Sequence, residues 1–518
     1  MSAILEGGGS RLPSPPPLRP ADEGVPTRLL SLSILVSVLL VLPSFRLWFQ
    51  SPMDLIRHEF DFFLGYFAES SQGAGPLAVL SGRILQAALL VAAGALYATI
   101  AARLRLVQAS VPSSPLVLRA SLVAFVFSVG LPWLSPDVFY YIGLGWLEAR
   151  YDLDPFRHAI AQTGAAAFDP MFTNVLPDFL TLPGTYGPLF QSLATGLAAL
   201  SFGKIKVALA LFKLVTLACH VAASALVVRL AGPRGAPFAF YAFACSPIVL
   251  LSAMTGMHND HLMVVFVLAA LDLRRGDRPF SCGFALACAV GVKYAPLIAL
   301  PLFVADWTLR GRSGRALSFR APLRFLAGFA LPVALLALRY PGFPSSLLSA
   351  IRHGSGTFRS SVHFLLGAVD RFLFQVPAPA MSRILLAAFF LLAAASLVLL
   401  VRDRFRGRPG ALERAWVFLF LSHFLTLNTS NHEWYLTWLL GPALVGAGAA
   451  AERLSIRLSA WFMPLVIFTA RSPADVLWPA NIALYLLLAA FGAPFLVSCF
   501  RRESGRNVIA VVPDDRRP

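Results

Sequence analysis

The stretch MSRILLAAFFLLAAASLVLLV, residues 381–401, decides the fold class of this chain. It carries one charged residue, Arg383, and a helix of this length crosses the hydrocarbon core of a bilayer. Over all 518 residues, 57% are hydrophobic and 13% are charged, whereas a soluble domain is about 25% charged. Because lipid leaves backbone groups no partners outside the helix itself, the sequence predicts an all-α polytopic membrane protein.

Comparable apolar runs recur between residues 28 and 500. They predict a membrane domain of about twelve to fourteen transmembrane helices, with interfacial helices in an external loop at about residues 135–186. Residues 1–27, rich in proline and glycine, are predicted to be a disordered cytosolic tail. Residues 501–518 are predicted to be a second cytosolic tail.

The basic residues predict the orientation of the chain. The formal net charge is +17, which in a soluble protein would suggest nucleic acid as a partner. Here the arginines cluster between apolar runs, so the positive-inside rule explains them better, and no nucleic acid is expected. The arginines that mark the cytosolic side are Arg103, Arg105, Arg274, Arg275, Arg278, Arg310, Arg312, Arg315, Arg402 to Arg408, Arg453, Arg457, Arg501 and Arg502. Both termini are then cytosolic, and arginine and alanine richness favours the plasma membrane of a bacterium with a GC-rich genome.

In two segments, the number of membrane crossings does not follow directly from the number of apolar runs. Three apolar runs, at about 186–203, 206–229 and 237–254, separate two polar clusters that the arginines place outside. An even number of these runs must cross, so one is predicted to be a half-helix or re-entrant segment, with Pro188 and Pro247 as break points. Residues 280–307 have basic flanks on both sides and are predicted to form two short helices.

Four polar clusters and one lysine are candidates for chemistry, because ionisable groups at membrane depth are costly and often functional. The first cluster is Asp137 followed by Tyr140, Tyr141 and Asp154. Its alternative interpretation is that Asp137 only caps a helix after Pro136.

The second cluster is Tyr186-Gly187-Pro188-Leu189, which alone could be a turn leading into a helix. The third is His258-Asn259-Asp260, with His261 following. It could be an interfacial cap, and two histidines three residues apart leave a divalent metal conceivable, although no metal ligands are assigned.

The fourth cluster is His432-Glu433-Trp434-Tyr435. It suits either an aromatic belt at the interface or the binding of a sugar, with aromatic faces against the ring and polar groups on the hydroxyls. Lys293 lies alone in an apolar run and needs an anionic partner, for which a lipid phosphate is suited; snorkelling or helix capping is the alternative.

Taken together, the motifs resemble the GT-C glycosyltransferases, and most closely the bacterial polyprenol-phosphomannose-dependent mannosyltransferases. The resemblance covers roughly residues 116–442, in family order. The segments that carry it are Asp137-Val138-Phe139-Tyr140-Tyr141 with Asp154-Pro155-Phe156, Tyr186-Gly187-Pro188-Leu189, Ser246 to Asp260, Val292-Lys293 with Pro296, and His432 to Trp438.

The resemblance implies a GT-C-like fold and inverting transfer of a hexose, most simply mannose, at the external face of the membrane. The donor would be a polyprenyl-phosphate-linked sugar, and the acceptor a glycan or glycolipid. Asp137 would act as general base. Lys293, or an external arginine such as Arg359, would hold the phosphate charge. The remaining polar residues of the clusters would bind the substrates.

Two other functions use similar residues. A transporter or flippase of lipid-linked saccharides predicts inverted repeats and a site at the membrane midplane, and we find no repeat. A polymerase or ligase that takes a lipid-linked oligosaccharide differs only in its product. The five cysteines lie in or beside apolar runs without a CxxC spacing and are predicted to be packing residues.

Overall fold

The computed structural model describes residues 27–45, 76–106, 112–130, 135, 137–232, 235–310, 319–343, 378–428, 432–470 and 474–500. Within these residues the chain is helical and contains no β-strand. The α-helices are α1 (Thr27–Phe45), α2 (Pro76–Leu104), α3 (Ser114–Val129), α4 (Asp137–Tyr151), α5 (Pro177–Leu180), α6 (Pro188–Leu200), α7 (Ile205–Ala231), α8 (Ala236–Ala244), α9 (Asp260–Arg275), α10 (Pro279–Val292), α11 (Leu300–Arg310), α12 (Arg320–Arg339), α13 (Ala378–Phe405), α14 (Ala411–Thr426), α15 (Thr437–Leu444), α16 (Ala449–Ala470) and α17 (Ala474–Phe500). A π-helix covers Val249–Thr255, and 3₁₀ turns cover Ile160–Thr163, Ala295–Ala299 and Glu433–Leu436.

Long apolar helices confirm an all-α polytopic membrane protein. Within the described residues, four helices are long and apolar enough to cross a membrane: Ala87–Leu104 of α2, α7, α12 and Arg383–Phe405 of α13. A fifth candidate is α8 together with the π-helix, bent by 57°. The outer face of α12 exposes Leu331, Leu335 and Leu338, as lipid contact requires. The total of twelve to fourteen spans stays a prediction.

The break at Pro247 is confirmed. Helix α8 ends at Ala244, and the π-helix begins at Val249. Proline has no backbone N–H to continue the hydrogen-bond ladder, so the chain bends between the two pieces. Pro188 behaves differently, since it is the first residue of α6 and starts a helix there.

Helices α4 and α6 pack side by side and run in the same direction from their first residues, since Tyr141 packs on Phe190 and Glu148 accepts a hydrogen bond from Thr195. Helix α7 then reaches the far end of α9, where Arg229 pairs with Asp272 at 2.8 Å, and the bent pair returns the chain to His258. By length and composition, α7 can cross a membrane, the bent pair can be a broken span or a re-entrant loop, and α6 is a shorter apolar helix. Which of the three runs does not cross stays a prediction.

The segment at residues 280–307 forms two short helices, as predicted. Helix α10 ends at Val292, Lys293 is extended, and α11 begins at Leu300 after a 3₁₀ turn. Lys293 therefore sits in the break between two helices.

The molecule has two distinct ends, which α9 connects. Its first residue, Asp260, belongs to the end where α4 and α6 begin and α10 stops; we name this the site end. Its last turn, Arg274 and Arg275, lies about 24 Å away, at what we name the arginine end. There Asp306 of α11 accepts two hydrogen bonds from Arg274, at 2.8 and 3.0 Å.

Candidate active site

Asp137 is the first residue of α4 and lies at the centre of the site end. Its Oδ1 accepts a hydrogen bond from the Ser135 hydroxyl at 2.8 Å, and its Oδ2 accepts a long one from the Tyr186 hydroxyl at 3.4 Å. The Nδ1 atom of His258 lies 3.6 Å from the same Oδ2. The Asp137 side chain keeps 15% exposure, so it is shielded but reachable.

Hydrogen bonds to the backbone of Tyr186 and Gly187 hold Tyr186 in place. The N–H of Gly187 donates to the carbonyl of Val292 at 3.0 Å, and the Tyr294 hydroxyl donates to the carbonyl of Tyr186 at 2.9 Å. A Cβ atom at Gly187 would lie 2.2 Å from the carbonyl oxygen of Gly291, so only glycine fits there. The Tyr-Gly-Pro motif is thus clamped against the end of α10.

Asp260 and Lys293 form a buried ion pair beside Asp137. The Lys293 ammonium donates to both carboxylate oxygens of Asp260, at 2.8 and 2.9 Å. The Trp438 indole donates to Oδ1 of Asp260 at 2.5 Å. Lys293 also lies 4.4 Å from the ring centre of Tyr435, a cation–π distance. These contacts join the third and fourth clusters to the Lys293 segment.

A stack of three rings leads outward from Asp137. The His258 ring lies on Trp434 with centroids 3.9 Å apart, and Trp434 lies on His432 at 4.2 Å. Tyr435 meets His432 edge-on at 5.4 Å. Flat aromatic faces of this kind suit contact with a ring-shaped ligand.

Two buried side chains at this end have unused hydrogen-bonding atoms. Neither ring nitrogen of His258 and neither amide atom of Asn259 has a hydrogen-bond partner among the described residues. Both residues line a small crevice, together with Phe190, Leu193, Phe212, Val215, Thr216, Cys219, Met257, His261 and Leu262. Buried polar atoms are normally satisfied, so this group is a candidate binding surface for a polar ligand.

Burial shifts the pKa of Asp137 and the pKa of His258 in opposite directions. It raises the pKa of the Asp137 carboxyl, while the Ser135 hydrogen bond and the charge of Lys293 oppose the shift. Burial lowers the pKa of the His258 imidazole well below its usual range, and the charges of Lys293 and His432 add to this. His258 is therefore neutral at physiological pH.

Other predicted residues have different surroundings. The Tyr140 hydroxyl donates to the carbonyls of Leu182 and Pro183, at 3.0 and 2.9 Å, which holds the loop before Tyr186. Tyr141 is buried with its ring edge-on to Tyr186 at 4.8 Å.

Asp154 bonds within its own loop, accepting from the N–H of Phe156 at 2.9 Å. Glu433 begins a 3₁₀ turn, but its side chain and all of Arg359 lie outside the described residues.

Sequence reasoning missed several residues that contact the site. Ser135, Tyr294 and Trp438 were not singled out as candidates, although each bonds a candidate residue. Lys213 of α7 was overlooked, although a lysine inside an apolar run is the same signal that singled out Lys293. All five cysteines are free and buried, which confirms them as packing residues. Within the described part of the chain, no group of three or more His, Cys, Asp or Glu side chains is arranged to hold a metal ion.

Comparison with known proteins gives one family match. Residues 62–309 match the family described as alpha-(1->6)-mannopyranosyltransferase, N-terminal domain. This range contains the motifs from Asp137 to Lys293, whereas His432 to Trp438 lies beyond it. No solved structure matches the chain.

Curated relatives carry the same name. Alpha-(1->6)-mannopyranosyltransferase A of Mycobacterium tuberculosis is 27% identical over 362 residues, which are 66% of this chain and 66% of that protein. Its namesake in Corynebacterium glutamicum is 27% identical over 227 residues, 41% of this chain and 44% of that one. The chain thus spans just under two thirds of the first relative and less than half of the second. These matches confirm the resemblance drawn from the motifs: this polytopic membrane protein is similar to the alpha-(1->6)-mannopyranosyltransferases, and those relatives are glycosyltransferases by name.

Proposed function

We propose that this protein transfers a mannosyl residue from a polyprenyl-phosphate-linked donor to a glycan or glycolipid acceptor, with Asp137 as general base. The observation that carries the proposal is the position of the Asp137 carboxylate. It is shielded, faces a neutral imidazole and accepts hydrogen bonds from two hydroxyls, and no cation of the described residues is bound directly to it. The names of the relatives support the choice of sugar.

The reaction assigns one task to each group. The acceptor hydroxyl gives its proton to Asp137 while its oxygen bonds to the anomeric carbon of the donor. The bond from that carbon to the phosphate oxygen breaks, and polyprenyl phosphate leaves. A carboxylate whose pKa is raised by burial is a better base for this step. Neutral His258, 3.6 Å from Asp137, can hydrogen-bond a substrate hydroxyl between them.

The leaving phosphate needs a positive group, and Lys293 is proposed for that role. Two of its three N–H bonds go to Asp260, which leaves one for a phosphate oxygen. Because Asp260 neutralises the ammonium, the attraction is weaker than that of an unpaired cation. Asp260 then acts chiefly to aim Lys293. No step above calls for a divalent metal, but one could share the phosphate charge.

The substrate sugars are proposed to lie against the ring stack of His258, Trp434 and His432. Asn259 and His258 offer donors and acceptors that no described residue uses. Both side chains would form hydrogen bonds with sugar hydroxyls, whose burial without such bonds costs free energy.

We further propose that the site end faces outward from the plasma membrane, with both termini in the cytosol. The support is the opposite end, where Arg274, Arg275 and Arg404 gather around Asp306 and Glu413. Arginine-rich loops stay on the cytosolic side. Lipid-linked donors would then reach Asp137 from the outer leaflet.

The test is transfer by membranes that contain the Asp137→Asn variant. Labelled polyprenyl-phosphate mannose, glucose and arabinose are supplied in turn, and the product is analysed. The native protein should move mannose as a single added residue, and the variant should lose about 10²- to 10⁴-fold of the rate. Asp178→Asn, an exposed carboxylate of α5, is the matched control and should keep full activity.

Four results would contradict the proposal. Full transfer by a correctly inserted Asp137→Asn variant removes the base. Release of another sugar changes the substrate. Movement of intact lipid-linked saccharide across the membrane, without transfer, indicates a flippase, and a product extended by an oligosaccharide indicates a polymerase or ligase.

A further inference from the structure

Lys213 is a buried lysine that the reaction above does not use. It is the ninth residue of α7 and is 7% exposed. No carboxylate in the described residues forms an ion pair with it, although ammonium groups at membrane depth require a partner. Because the burial of such an ammonium costs free energy, we expect Lys213 to have a specific role.

The partners of Lys213 are two backbone carbonyls. Its ammonium donates to the carbonyl of Met254 at 2.7 Å and to that of Thr255 at 2.9 Å. These residues end the π-helix, where carbonyls carry the negative end of the helix dipole. In an α-helical ladder the Met254 carbonyl would accept from the N–H of His258, but that N–H bonds back to the carbonyl of Ser252 at 3.3 Å.

The chain turns sharply directly after these carbonyls. Met257 has a φ of +56°, a conformation that a side chain other than glycine adopts at a cost of about 1–3 kcal/mol. A Cβ at Gly256 would lie 2.9 Å from Cδ2 of His258, so the imidazole folds back over the turn. This turn brings His258 onto Trp434 and within 3.6 Å of Asp137.

We propose that Lys213 is a positioning residue, which fixes the strained turn after the π-helix so that His258 faces Asp137. It touches neither the proposed base nor the proposed sugar surface, and it acts through the backbone of Met254 and Thr255. The proposal rests on the proposed role of His258 but not on Asp137 being the base.

The test is a double-mutant cycle with Lys213→Met and His258→Ala, read as kcat and KM of mannosyl transfer in membranes. In the native background, Lys213→Met should lower kcat about a hundredfold, because a shift of about 1 Å at the reacting groups has that effect. KM for the donor should stay near its native value. In the His258→Ala background the same substitution should change kcat by at most about twofold, since the two residues act as one unit.

Two further variants separate positioning from folding. Lys213→Arg keeps the charge and the donors and should recover most of the activity. Lys204→Met, an exposed lysine at the start of the same helix, should behave as the native protein. If Lys213→Met does not accumulate, Lys213→Gln, which keeps an N–H donor, replaces it in the cycle.

The inference is overturned if the Lys213 variant lowers kcat equally with and without His258. It is also overturned if Lys213→Met keeps native kcat, or if His258→Ala is fully active while Lys213→Met is not. A failure of Asp137→Asn to lose activity would count against the base and leave the measured coupling between Lys213 and His258 intact.

Discussion

Two carboxylates, Asp137 and Asp260, lie near each other at the site end and have different hydrogen-bond partners. The Lys293 ammonium donates to both carboxylate oxygens of Asp260, and the Trp438 indole N–H donates to Oδ1 as well. Among the described residues, the Asp137 carboxylate accepts hydrogen bonds from hydroxyls alone. This difference in partners is the reason that Asp137, and not Asp260, is proposed as the base.

The hydrogen bond from Ser135 should be visible in the pH profile. It opposes the burial effect on the pKa of Asp137, so removing it in Ser135→Ala should raise that pKa further. A general base must be deprotonated, and activity is lost as pH falls through its pKa. The acid limb of the rate profile should therefore move to higher pH, as measured by initial rates of mannosyl transfer across a pH series.

Ser128→Ala is the control for this shift, because Ser128 is buried and bonds a carbonyl of its own helix. Its profile should coincide with the native one. An acid limb that stays in place or moves to lower pH in Ser135→Ala would contradict the assignment of Asp137 as the titrating base.

At the level of elements, the site depends on how closely the Tyr-Gly-Pro loop approaches α10. The Gly187 N–H donates to the carbonyl of Val292 at 3.0 Å, one residue before Lys293, so this hydrogen bond ties the loop to the lysine segment. The same loop carries the hydroxyl of Tyr186 to Asp137. The contact therefore sets the distance between the proposed base and the proposed phosphate cation.

Gly187→Ala should push these two segments apart. The added Cβ would meet the Gly291 carbonyl at 2.2 Å, and backbone must shift to relieve that contact. We expect a loss of about 1–3 kcal/mol of stability, and a fall in transfer rate of about tenfold or more from misplaced groups. Thermal denaturation in detergent and the rate assay measure the two effects separately.

Gly196→Ala in α6 is the matched control, since a Cβ there meets nothing within 4 Å. Alanine in a helix interior should stabilise by about 0.5–1 kcal/mol with native activity. A Gly187→Ala variant as stable and active as Gly196→Ala would show that the loop and α10 need not approach so closely.

At the scale of the whole molecule, an exposed carboxylate near each end allows the orientation in the membrane to be tested. Asp178 is exposed beyond the site end, and Asp277 is exposed after α9 at the arginine end. Because the five native cysteines are buried, a cysteine introduced at either position should react selectively with a membrane-impermeant maleimide.

In intact cells, Asp178→Cys should be labelled and Asp277→Cys should be labelled only after the membrane is opened. That result follows if arginine loops remain in the cytosol. The reverse pattern would put the site end inside and remove the proposed access from the outer leaflet.

The sequence by itself determined the fold class, two candidate break points at Pro188 and Pro247, and most of the candidate residues. Apolar length, charge and the missing N–H of proline are local properties. Whether a proline breaks a helix depends on its surroundings, since Pro188 starts α6 and Pro332 lies inside α12. The candidates Asp137, Tyr186, His258 and Lys293 were found for the same reason, as polar groups in apolar surroundings.

Only the tertiary structure decided how those residues pair. Lys293 meets Asp260 from 33 positions along the chain, and the carbonyls of Met254 and Thr255 accept hydrogen bonds from Lys213 on another helix. The parallel packing of α6 on α4 could not be recognised from the composition of either helix, because it depends on which surfaces meet in the folded chain. Pairings of this kind depend on which helices are neighbours, and the local pattern of one segment does not carry that information.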